Sequence, residues 1–458
     1  MPRPGLNTAR NIASLVLGET DPRKDNIGLV LDEMLTRTSE IQRTTDLVFG
    51  TIKNRSLIDL VIEKISACPV ERIPGRILNI LRIGFYELIY CPQTPQHAIL
   101  DENVENAKNT TNEKQAGFAN AILRRATRHI KSREIPLEQA KPRNTVPQTP
   151  TNGCEFDLSL LPDSKESPRG YFDLAFSLPS WLVQKWLDEY GQEKTRQICF
   201  ASNRRPSVYL RPNRLKTTAD KLERIMKSDG IECDTAPEKE MIRLTSPKSV
   251  TALQGFREGL FTVQDLSAAE TVRLLNPRPE WTILDLCAAP GTKTTQLAEL
   301  TGDKARIIAT DIESSRLAMV KENIDRLGIK SVTVVEYENL EKTVSKIGPF
   351  DCVLLDVPCS NTGVLAKRPE VRHRITKEVI EQLARAQIGL LAYAAKILKA
   401  AGVICYSTCS IQPEENRLLI KRFLSENRSF RLKSEKLILP SADPFDHDGS
   451  YTVIIERE

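Results

Sequence analysis

The sequence FDCVLLDVPCSNTGV, which spans Phe350–Val364, begins with a short apolar run and ends in a polar turn. A second stretch, GVICYSTCS at Gly402–Ser410, repeats this pattern. Short buried runs of this kind are typical of parallel strands, whose carboxyl ends form the ligand-binding edge of an α/β sheet. We therefore predict an α/β sheet here, with Cys359 and Cys409 at that edge.

Two thiols at one sheet edge suggest covalent chemistry, because the thiolate is a strong nucleophile close to neutral pH. The alternative is that each cysteine is a small core residue, which is the more common situation for a free cysteine. Taken alone, either cysteine fits the second interpretation better. The loops and acidic residues around them favour the first.

Further apolar runs precede these two stretches and alternate with helical patterns, and a last run closes the chain. Such alternation is typical of a doubly wound α/β domain with right-handed crossovers. We predict a Rossmann-like α/β domain over residues 251–458. Its strands are expected at 281–288, 306–311, 332–336, 350–356, 402–408 and 451–458.

The segment ILDLCAAPGTKTTQLAEL at Ile283–Leu300 has the pattern of a strand, a loop of small residues and a helix. Small residues let the backbone approach a ligand, and the helix N-terminus offers free N–H groups. The glycine spacing of a dinucleotide site or a P-loop is absent. The candidate cofactor-binding residues here are Cys287, Ala288, Ala289, Pro290, Gly291, Thr292 and Lys293.

Acidic residues follow the next three predicted strands. Asp311 ends the second strand, where a carboxylate can bind ribose hydroxyls, although it can equally cap the following helix. Glu338 and Asp356 follow the third and fourth strands. Several carboxylates at one edge would repel a polyphosphate but tolerate a sulfonium ligand with an amino group. We therefore expect S-adenosyl-L-methionine as the cofactor rather than NAD.

The N-terminal part of the chain has a different pattern. Apolar residues recur at helical spacing over residues 1–130, which predicts an all-α bundle. Residues 131–168 are rich in Pro, Thr, Asn and charge, and are predicted to be a partly disordered linker. Residues 169–250 mix helical and strand patterns and are predicted to form a small α+β module.

Composition narrows the class of protein. The 458 residues carry a net charge of +5, which permits a nucleic-acid partner without requiring one. The ten cysteines show no pairing framework and only four histidines are present, so we expect reduced thiols and no metal site. The sequence has neither a long apolar run nor a signal-peptide core, and we expect a cytoplasmic protein.

Three motifs resemble those of a known family. LDLCAAPGTKTTQLA, LLDVPCSNTGV and YSTCSIQPEENRLLI are similar to the signature motifs of the Sun/Fmu-type RNA cytosine-5 methyltransferases. EIQRTTDLVFGTIKNRSLIDLVI, ILRIGFYELIY and AGFANAILRR resemble the NusB-type RNA-binding domain. The domain order resembles that of the bacterial members that act on 16S rRNA. Thr292 and Asn361 depart from the family pattern, which has Gly, and Gly or Ala, at these positions.

The resemblance implies a role for each motif residue. Cys409 would attack C6 of the cytosine, and Cys359 would assist release of the product. Asp356 would bind the cytosine edge, and Lys293 would lower a thiol pKa and orient the site. S-adenosyl-L-methionine would be the methyl donor. The implied partner is small-subunit ribosomal RNA, naked or in an early assembly particle, and the protein is expected to be a monomer.

RNA is expected to be held by basic surface residues, although a solvated surface charge is the common alternative for each of them. Arg82 has a structural ion pair as a further alternative. The candidates are Arg76, Arg82, Arg124, Arg125, Arg204, Arg205, Arg211, Arg214, Lys216, Lys367, Arg368, Arg372 and Arg374.

Three other functions are weighed against this one. A Rossmann dehydrogenase would need the dinucleotide glycine spacing, which is missing. A non-enzymatic NusB-like RNA-binding factor would explain the first 130 residues but neither the two cysteines nor the cofactor loop. A cytosine-5 methyltransferase acting on tRNA or 23S rRNA is the nearest enzymatic alternative, and only the resemblance of the N-terminal domain argues against it.

Overall fold

The structure is a computed structural model and describes residues 7–236, 240–245 and 249–458. The chain forms two compact units. The first contains the residues up to Arg205 together with the short segment Leu365–Arg374. The second contains Pro206–Val364 and Ile375–Glu458.

Helices occupy the start of the first unit, which confirms the predicted N-terminal bundle. Thr8, Asn26 and Asn112 each cap a helix by accepting a backbone N–H bond with the side-chain oxygen. The helices are α1 (Ala9–Glu19), α2 (Ile27–Leu35), α3 (Ile41–Lys53), α4 (Arg55–Ser66), α5 (Gly75–Tyr90), α6 (Gln96–Thr110) and α7 (Glu113–His129).

Helix α5 lies at the centre of this bundle. It is apolar around most of its circumference and is buried from Ile77 to Ile89. A helix that is apolar on all sides must be covered on all sides. Helices α1, α3, α4, α6 and α7 all pack against it.

The residues after α7 form a sheet. Strands β1 (Ile130–Pro136), β2 (Thr145–Pro147) and β3 (Asn152–Phe156) pair antiparallel in the order β1-β3-β2. The prediction of a partly disordered linker at 131–168 is therefore wrong. The helices α8 (Pro168–Ala175) and α9 (Ser180–Asn203), which has a break at Gly191, follow the sheet within this unit.

One arginine explains much of the order in this segment. Arg133 on β1 donates to the carbonyls of Glu87 and Leu88 at distances of 2.9 Å, and also to the carbonyl of Cys91. These groups lie at the end of α5, where helix carbonyls lack an intrahelical partner. The contact compensates for the low apolar content that suggested disorder.

The second unit alternates strands and helices. Its elements in chain order are β4 (Val208–Pro212), α10 (Ala219–Ser228), β5 (Cys233–Ala236), β6 (Met241–Leu244), β7 (Phe261–Val263), α11 (Leu266–Leu275), β8 (Thr282–Asp285), α12 (Thr292–Leu300), β9 (Arg306–Ala309), α13 (Ser314–Leu327), β10 (Val332–Val334), α14 (Leu340–Ile347), β11 (Phe350–Asp356), α15 (Val371–Arg374), α16 (Lys377–Ile397), β12 (Leu398–Thr408), α17 (Arg417–Glu426), β13 (Phe430–Ile438) and β14 (Ser450–Arg457). Of these, α15 lies in the segment that groups with the first unit.

A small antiparallel sheet opens this unit, with strand order β5-β6-β4-β7. It is the sheet of the predicted α+β module. Strand β7 lies after residue 250 and pairs with β4 through Leu210 and Val263. The predicted boundary at residue 250 would therefore separate a strand from its own sheet.

The larger sheet has the strand order β10-β9-β8-β11-β12-β14-β13. Strands β10 to β12 in this order are parallel, and β14 and β13 are antiparallel additions at one side. Buried apolar clusters lie against it, because parallel strands are covered on both faces. This confirms the predicted Rossmann-like domain and brings the ends of β8, β9, β11 and β12 to one edge.

The cysteines in the described residues are free thiols. Within the described ranges, no group of three or more His, Cys, Asp or Glu side chains is arranged to hold a metal ion. The same part of the chain contains no helix with the length and apolar character that a membrane span requires.

Candidate active site

The two cysteines of the motifs meet at the edge of the large sheet. Cys359 follows β11 and Cys409 follows β12, two parallel strands that pair through Asp356 and Ser407 at their ends. The two Sγ atoms are 3.1 Å apart. Cys359 is 7% exposed and Cys409 is half-buried. The structure thus brings together the two thiols that the sequence placed on separate strands.

A glycine allows the two cysteine loops to touch. The backbone N–H of Gly363 donates to the carbonyl of Cys409 at 3.0 Å. A Cβ at this position would lie 2.8 Å from that carbonyl oxygen and 2.6 Å from the carbonyl oxygen of Gly449. Any side chain at residue 363 would therefore push the two loops apart.

Asn361 bridges the thiols in a way that the sequence did not indicate. Its Nδ2 donates to the carbonyl of Cys359 at 2.9 Å, and its Oδ1 accepts from the Cys409 thiol at 3.0 Å. Its φ is +58°, a left-handed conformation that asparagine tolerates better than most residues. Asn361 is therefore tolerated at a position where the family pattern has Gly or Ala, and its side-chain amide adds a polar group to the site.

Lys293 and Asp356 form an ion pair beside the thiols. Lys293 Nζ donates to Asp356 Oδ2 at 2.6 Å, and Ser407 Oγ donates to Asp356 Oδ1 at 2.8 Å. Burial alone would lower the pKa of Lys293, but the carboxylate of Asp356 outweighs it and the net pKa is raised. The ammonium group is therefore positively charged, and its charge interacts with Cys409.

The two thiols do not share the same electrostatic environment. The Cys409 S–H is directed to Asn361 Oδ1, so Cys359 donates to the Cys409 sulfur, and this hydrogen bond and then burial raise the pKa of Cys359 well above its usual value. Two anions this close strongly disfavour each other. The arrangement therefore supports one negative charge on the pair at a time.

The loop after β8 has the geometry expected of a ligand-binding turn. Gly291 has a φ of +100°, which favours glycine, and it directly precedes α12. Thr292 is the first residue of that helix, so its replacement of a second glycine causes no strain. Arg316 donates to the carbonyl of Ala289 at 2.9 Å and supports the loop from α13.

Asp311 is buried between the loop after β8 and the start of α13, and its role at a ribose stays a prediction. It is 4% exposed and follows β9. Its Oδ2 accepts from the backbone N–H of Ala289 at 3.1 Å, and its Oδ1 accepts from that of Glu313 at 3.1 Å, before α13. It therefore ties the loop of small residues to the start of the next helix.

Asp285 is a site residue that sequence reasoning missed. It is buried at the end of β8, where its Oδ2 accepts from Thr294 Oγ1 at 2.7 Å. Burial raises its pKa to about 7, although the Thr294 hydroxyl acts in the opposite direction. Its Oδ1 lacks a hydrogen-bond partner within the described residues. Its position two residues before Cys287 is the signal that was available.

The remaining candidates lie around this loop. Cys287 is half-buried, and burial raises its pKa. Glu338 is exposed on a short 3₁₀ turn after β10. Glu336, two residues earlier, has a buried Oε2 without a partner in the part of the chain that the structure describes. Ile312 is 74% exposed directly after Asp311. The sequence did not single out Glu336 or Ile312.

Two of the predicted RNA contacts are wrong because the side chains are buried. Arg211 is 4% exposed and its NH2 lies 2.7 Å from Glu299 Oε1. Arg372 is 3% exposed and donates to the carbonyls of Lys53 and Phe176 at 2.8 and 2.9 Å. Neither guanidinium is free to bind phosphate.

The other basic candidates divide into paired and exposed groups. Arg82 donates to both carboxylate oxygens of Asp59, as its alternative interpretation held, and Arg205 binds Asp46 in the same way. Arg214 contacts Glu240. The exposed candidates also include Arg76, Arg124, Arg125, Lys216, Arg368 and Arg374, while Arg204 and Lys367 are half-buried.

Family models match three parts of the chain. A model described as 16S rRNA methyltransferase RsmB/F matches residues 272–451. The NusB family model matches residues 7–128. A model for the ferredoxin-like domain of RsmF/B-like methyltransferases matches residues 178–251.

Whole-chain comparisons agree with these models. The probable ribosomal RNA small subunit methyltransferase B of Synechocystis sp. is 31% identical over 431 residues, which is 93% of this chain and 90% of that protein. The ribosomal RNA small subunit methyltransferase B of Yersinia pseudotuberculosis is 32% identical over 459 residues, 98% of each chain. The crystal structure of PH0851 has the same fold, with a TM-score of 0.73 at 24% identity over 100% of this chain and 99% of that one. The family resemblance is thereby confirmed, and the chain belongs to the RsmB/F family of 16S rRNA methyltransferases.

Proposed function

We propose that the chain transfers a methyl group from S-adenosyl-L-methionine to C5 of a specific cytidine in 16S rRNA, through a covalent bond between Cys409 and C6. The observation that carries this proposal is the thiol pair, 3.1 Å apart, at the sheet edge that also holds the Lys293–Asp356 ion pair. A binding module has no need of such a pair, whereas C5 methylation needs a nucleophile and a group that completes the reaction.

The loop after β8 fits the cofactor. Asp311 is suited to ribose hydroxyls, the exposed Ile312 offers an apolar surface to an adenine ring, and Gly291 lets the backbone approach closely. Asp285 adds a buried carboxylate whose Oδ1 lacks a partner among the described residues, which suits a cationic ligand. S-adenosyl-L-methionine supplies an electrophilic methyl group on a sulfonium.

Cys409 is assigned as the nucleophile because it is the more accessible thiol and because its charge interacts with Lys293. Its thiolate electron pair forms the bond between sulfur and C6. The C5=C6 double bond becomes a single bond, and its electron pair makes C5 nucleophilic. This step converts an unreactive carbon into one that accepts a methyl group.

Asp356 is assigned to the N3 and amino edge of the cytosine. Ser407 and Lys293 hold its carboxylate from two sides, which fixes its orientation. The Lys293 ammonium places a positive charge beside the developing negative charge of the ring. Preorganised charge of this kind stabilises such an adduct.

Cys359 is assigned to release. It takes the proton from C5, the electron pair of the C–H bond re-forms the C5=C6 double bond, and the bond between C6 and the Cys409 sulfur breaks. Cys409 leaves as a thiolate, so the enzyme returns to its starting charge. Because the two sulfur atoms are 3.1 Å apart, both can reach the same cytosine.

The substrate is assigned as small-subunit ribosomal RNA, naked or in an early assembly particle, because of the family membership and the NusB-type domain. The target base must lie outside a helical stack to reach the thiols. The alternatives to be separated are tRNA and 23S rRNA as substrates.

Bisulfite sequencing of 16S rRNA from cells with and without this protein tests the proposal. We expect one cytidine to be protected from conversion only when the protein is present, and the purified enzyme to restore that mark on unmodified 16S rRNA. Methylation confined to tRNA or 23S rRNA, or found by mass spectrometry on another atom of the nucleotide, would contradict it. Heat-denatured enzyme is the control.

A further inference from the structure

Glu415 is a fully buried carboxylate, 0% exposed, that holds both cysteine loops. Its Oε2 accepts hydrogen bonds from the hydroxyls of Ser360 and Ser410, each at 2.5 Å, and its Oε1 accepts from the backbone N–H of Ser360 at 2.8 Å. Ser360 directly follows Cys359 and Ser410 directly follows Cys409. One side chain therefore fixes the residue after each thiol.

The surroundings of this carboxylate are neutral and well ordered. Gln387 donates to Glu415 Oε1 at 3.1 Å and to the carbonyl of Pro358 at 2.9 Å. The hydroxyl of Tyr406 donates to the carbonyl of Glu415 at 2.6 Å. Within the described ranges, the groups that donate to the carboxylate are two serine hydroxyls, one amide and one backbone N–H. Burying a carboxylate in this way is costly, which points to a role beyond packing.

We propose that Glu415 is a positioning residue for both thiols, joining their loops into one unit and confining the negative charge of the pair to Cys409. This inference rests on the proposed function, in which Cys409 attacks and Cys359 acts later. It deepens that function by naming Glu415 as the residue that gives the two thiols different charges and therefore different roles.

The charges around the pair are arranged asymmetrically. The hydrogen bond and charge of Cys409, together with burial and the charge of Glu415, disfavour an anion on Cys359. Cys409 interacts with the Lys293 ammonium, which is paired with Asp356. Because two adjacent anions repel each other, the proton stays on Cys359 while Cys409 is ionised.

This asymmetry suits the order of the reaction. In the resting enzyme, a thiolate at Cys359 would compete with Cys409 for attack on C6 of the cytosine. Once Cys409 has formed its bond to C6, its sulfur is a neutral thioether and no longer repels a charge on Cys359. Cys359 can then release its proton to solvent water, and the resulting thiolate is the base that takes the C5 proton in the release step.

Site-resolved alkylation tests the charge assignment without RNA or cofactor. The full-length protein is treated with iodoacetamide across a pH series, and each cysteine peptide is quantified by mass spectrometry. In the unmodified protein we expect Cys409 to react at lower pH than Cys359. In Glu415→Gln, we expect the alkylation rate of Cys359 at pH 8 to rise about tenfold, as for a fall of one pKa unit, with Cys409 little changed.

Three matched variants separate charge from folding. Glu414→Gln removes the neighbouring carboxylate, which lines a surface groove, and should leave both profiles unchanged. Glu415→Asp keeps the charge and should keep Cys359 unreactive at pH 8. Ser410→Ala keeps the charge but removes one arm to the Cys409 loop, and should lower kcat about tenfold with little change in KM, as for loss of one charge-assisted hydrogen bond.

Two results would overturn the proposal. If Glu415→Gln shifted both thiols equally, or neither, the carboxylate would not distinguish them. If Glu415→Gln did not fold, Ser410→Ala with full kcat would show that the link between the loops is unimportant. Because the alkylation profiles involve no methyl transfer, they stand even if bisulfite sequencing refutes the cytosine-C5 reaction.

Discussion

At the residue scale, the proposed methyl transfer depends on which of two adjacent thiols carries the negative charge. Cys359 is nearly buried and its pKa is raised by the Cys409 hydrogen bond and by burial. Cys409 is more exposed and interacts with Lys293. The difference lies in the neighbours that the fold supplies, because the two short motifs around the cysteines look equivalent in the sequence.

Substitution of each thiol separates their roles. We expect Cys409→Ser to abolish methyl transfer and to form no covalent RNA complex, because a serine hydroxyl without a strong base is a poor nucleophile. Cys359→Ser should still attack and methylate but should remain attached to the RNA. A denaturing gel with RNA and cofactor distinguishes the two variants. Trapped RNA on the Cys409 variant alone would reverse the assignment, and two active variants would refute the mechanism.

Asp311 provides a second test at this scale. We expect Asp311→Ala to weaken S-adenosyl-L-methionine binding by about 1–3 kcal/mol, the range for losing a charged hydrogen bond, as measured by calorimetry. Since Asp311 also accepts from the backbone of Ala289, part of the loss would come from the loop itself. Asp325→Ala, at an exposed position on α13, is the matched control. Unchanged affinity in Asp311→Ala would remove this residue from the cofactor site.

At the scale of elements, the sequence predicted the helices and strands whose apolar residues follow a regular pattern. Strand β11 has the predicted bounds of 350–356, and β8, β9 and β10 are shorter than predicted because their last residues belong to the ligand-binding turns. Strand β13 was missed because four of its nine residues are charged and because it lies at the edge of the sheet, where the pattern of apolar residues is weakly constrained.

Contacts between distant residues were beyond the reach of sequence patterns. The β1–β3 sheet depends on Arg133 and carbonyls more than forty residues away. Asn361 and Glu415 gain their roles only when the two cysteine loops meet. Conversely, Arg211 and Arg372 looked like surface cations because a buried guanidinium leaves no local signature. The thiol motifs and the loop after β8 were predictable because their chemistry is continuous in sequence.

Helix α3 ends in a buried lysine whose titration should be visible in stability. Lys53 is 4% exposed and donates to the carbonyl of Arg204 at 2.8 Å, and burial lowers its pKa to about 7. The unfolded chain, with an ordinary lysine pKa near 10.5, binds more protons between these two values. Stability should therefore rise as pH increases from about 7 towards 10.

Lys53→Met should flatten this dependence, measured as urea unfolding of the full chain at several pH values. Lys64→Met is a control for removing a lysine that donates to a carbonyl, that of Ser159, from an exposed contact. The same slope in Lys53→Met and in the unmodified protein would show that Lys53 is charged throughout this range. If Lys53→Met and Lys64→Met lost the slope of stability against pH equally, that slope would come from general surface charge rather than from Lys53.

Helix α7 presents three of the exposed arginines of the N-terminal bundle, Arg124, Arg125 and Arg128. If the bundle anchors RNA, replacing Arg124 and Arg125 by Ala should weaken binding to 16S rRNA fragments. It should also reduce the slope of log affinity against log salt by about 0.7–0.9 for each phosphate that the variant no longer neutralises. Arg422→Ala, on the exposed face of α17, is the control and should leave the slope unchanged. An unchanged slope in the α7 variant would exclude this face as a phosphate-binding surface.

At the scale of the whole molecule, the chain passes from the second unit into the first immediately after the Cys359 loop and returns ten residues later. Segment Leu365–Arg374 belongs to the first unit, whereas Val364 and Ile375 belong to the second. Arg372 secures it with hydrogen bonds to Lys53, Phe176 and Ser202 carbonyls and to Asn203 Oδ1, at 2.7–2.9 Å. The N-terminal unit therefore holds a piece of chain that begins six residues after a reactive cysteine.

A fragment of residues 206–458 should reveal this dependence. The strands of the large sheet and the loop after β8 lie entirely in the second unit, so the fragment should fold and bind S-adenosyl-L-methionine. Its segment Leu365–Arg374 would lose every acceptor that Arg372 uses in the N-terminal residues. We expect trypsin to cut the fragment rapidly after Lys367, Arg372 or Arg374, while the full chain is protected at the buried Arg372.

The full chain carrying Arg372→Ala is the matched variant, and it should become sensitive at Lys367 and Arg374 while its N-terminal bundle stays helical by circular dichroism. Because the segment begins where the Cys359 loop ends, its release should also lower the yield of the covalent RNA complex without weakening cofactor binding. A fragment as resistant to trypsin as the full chain would show that the segment is ordered by the second unit alone. Normal complex formation by Arg372→Ala would show that the N-terminal unit does not act on the thiols through this connection.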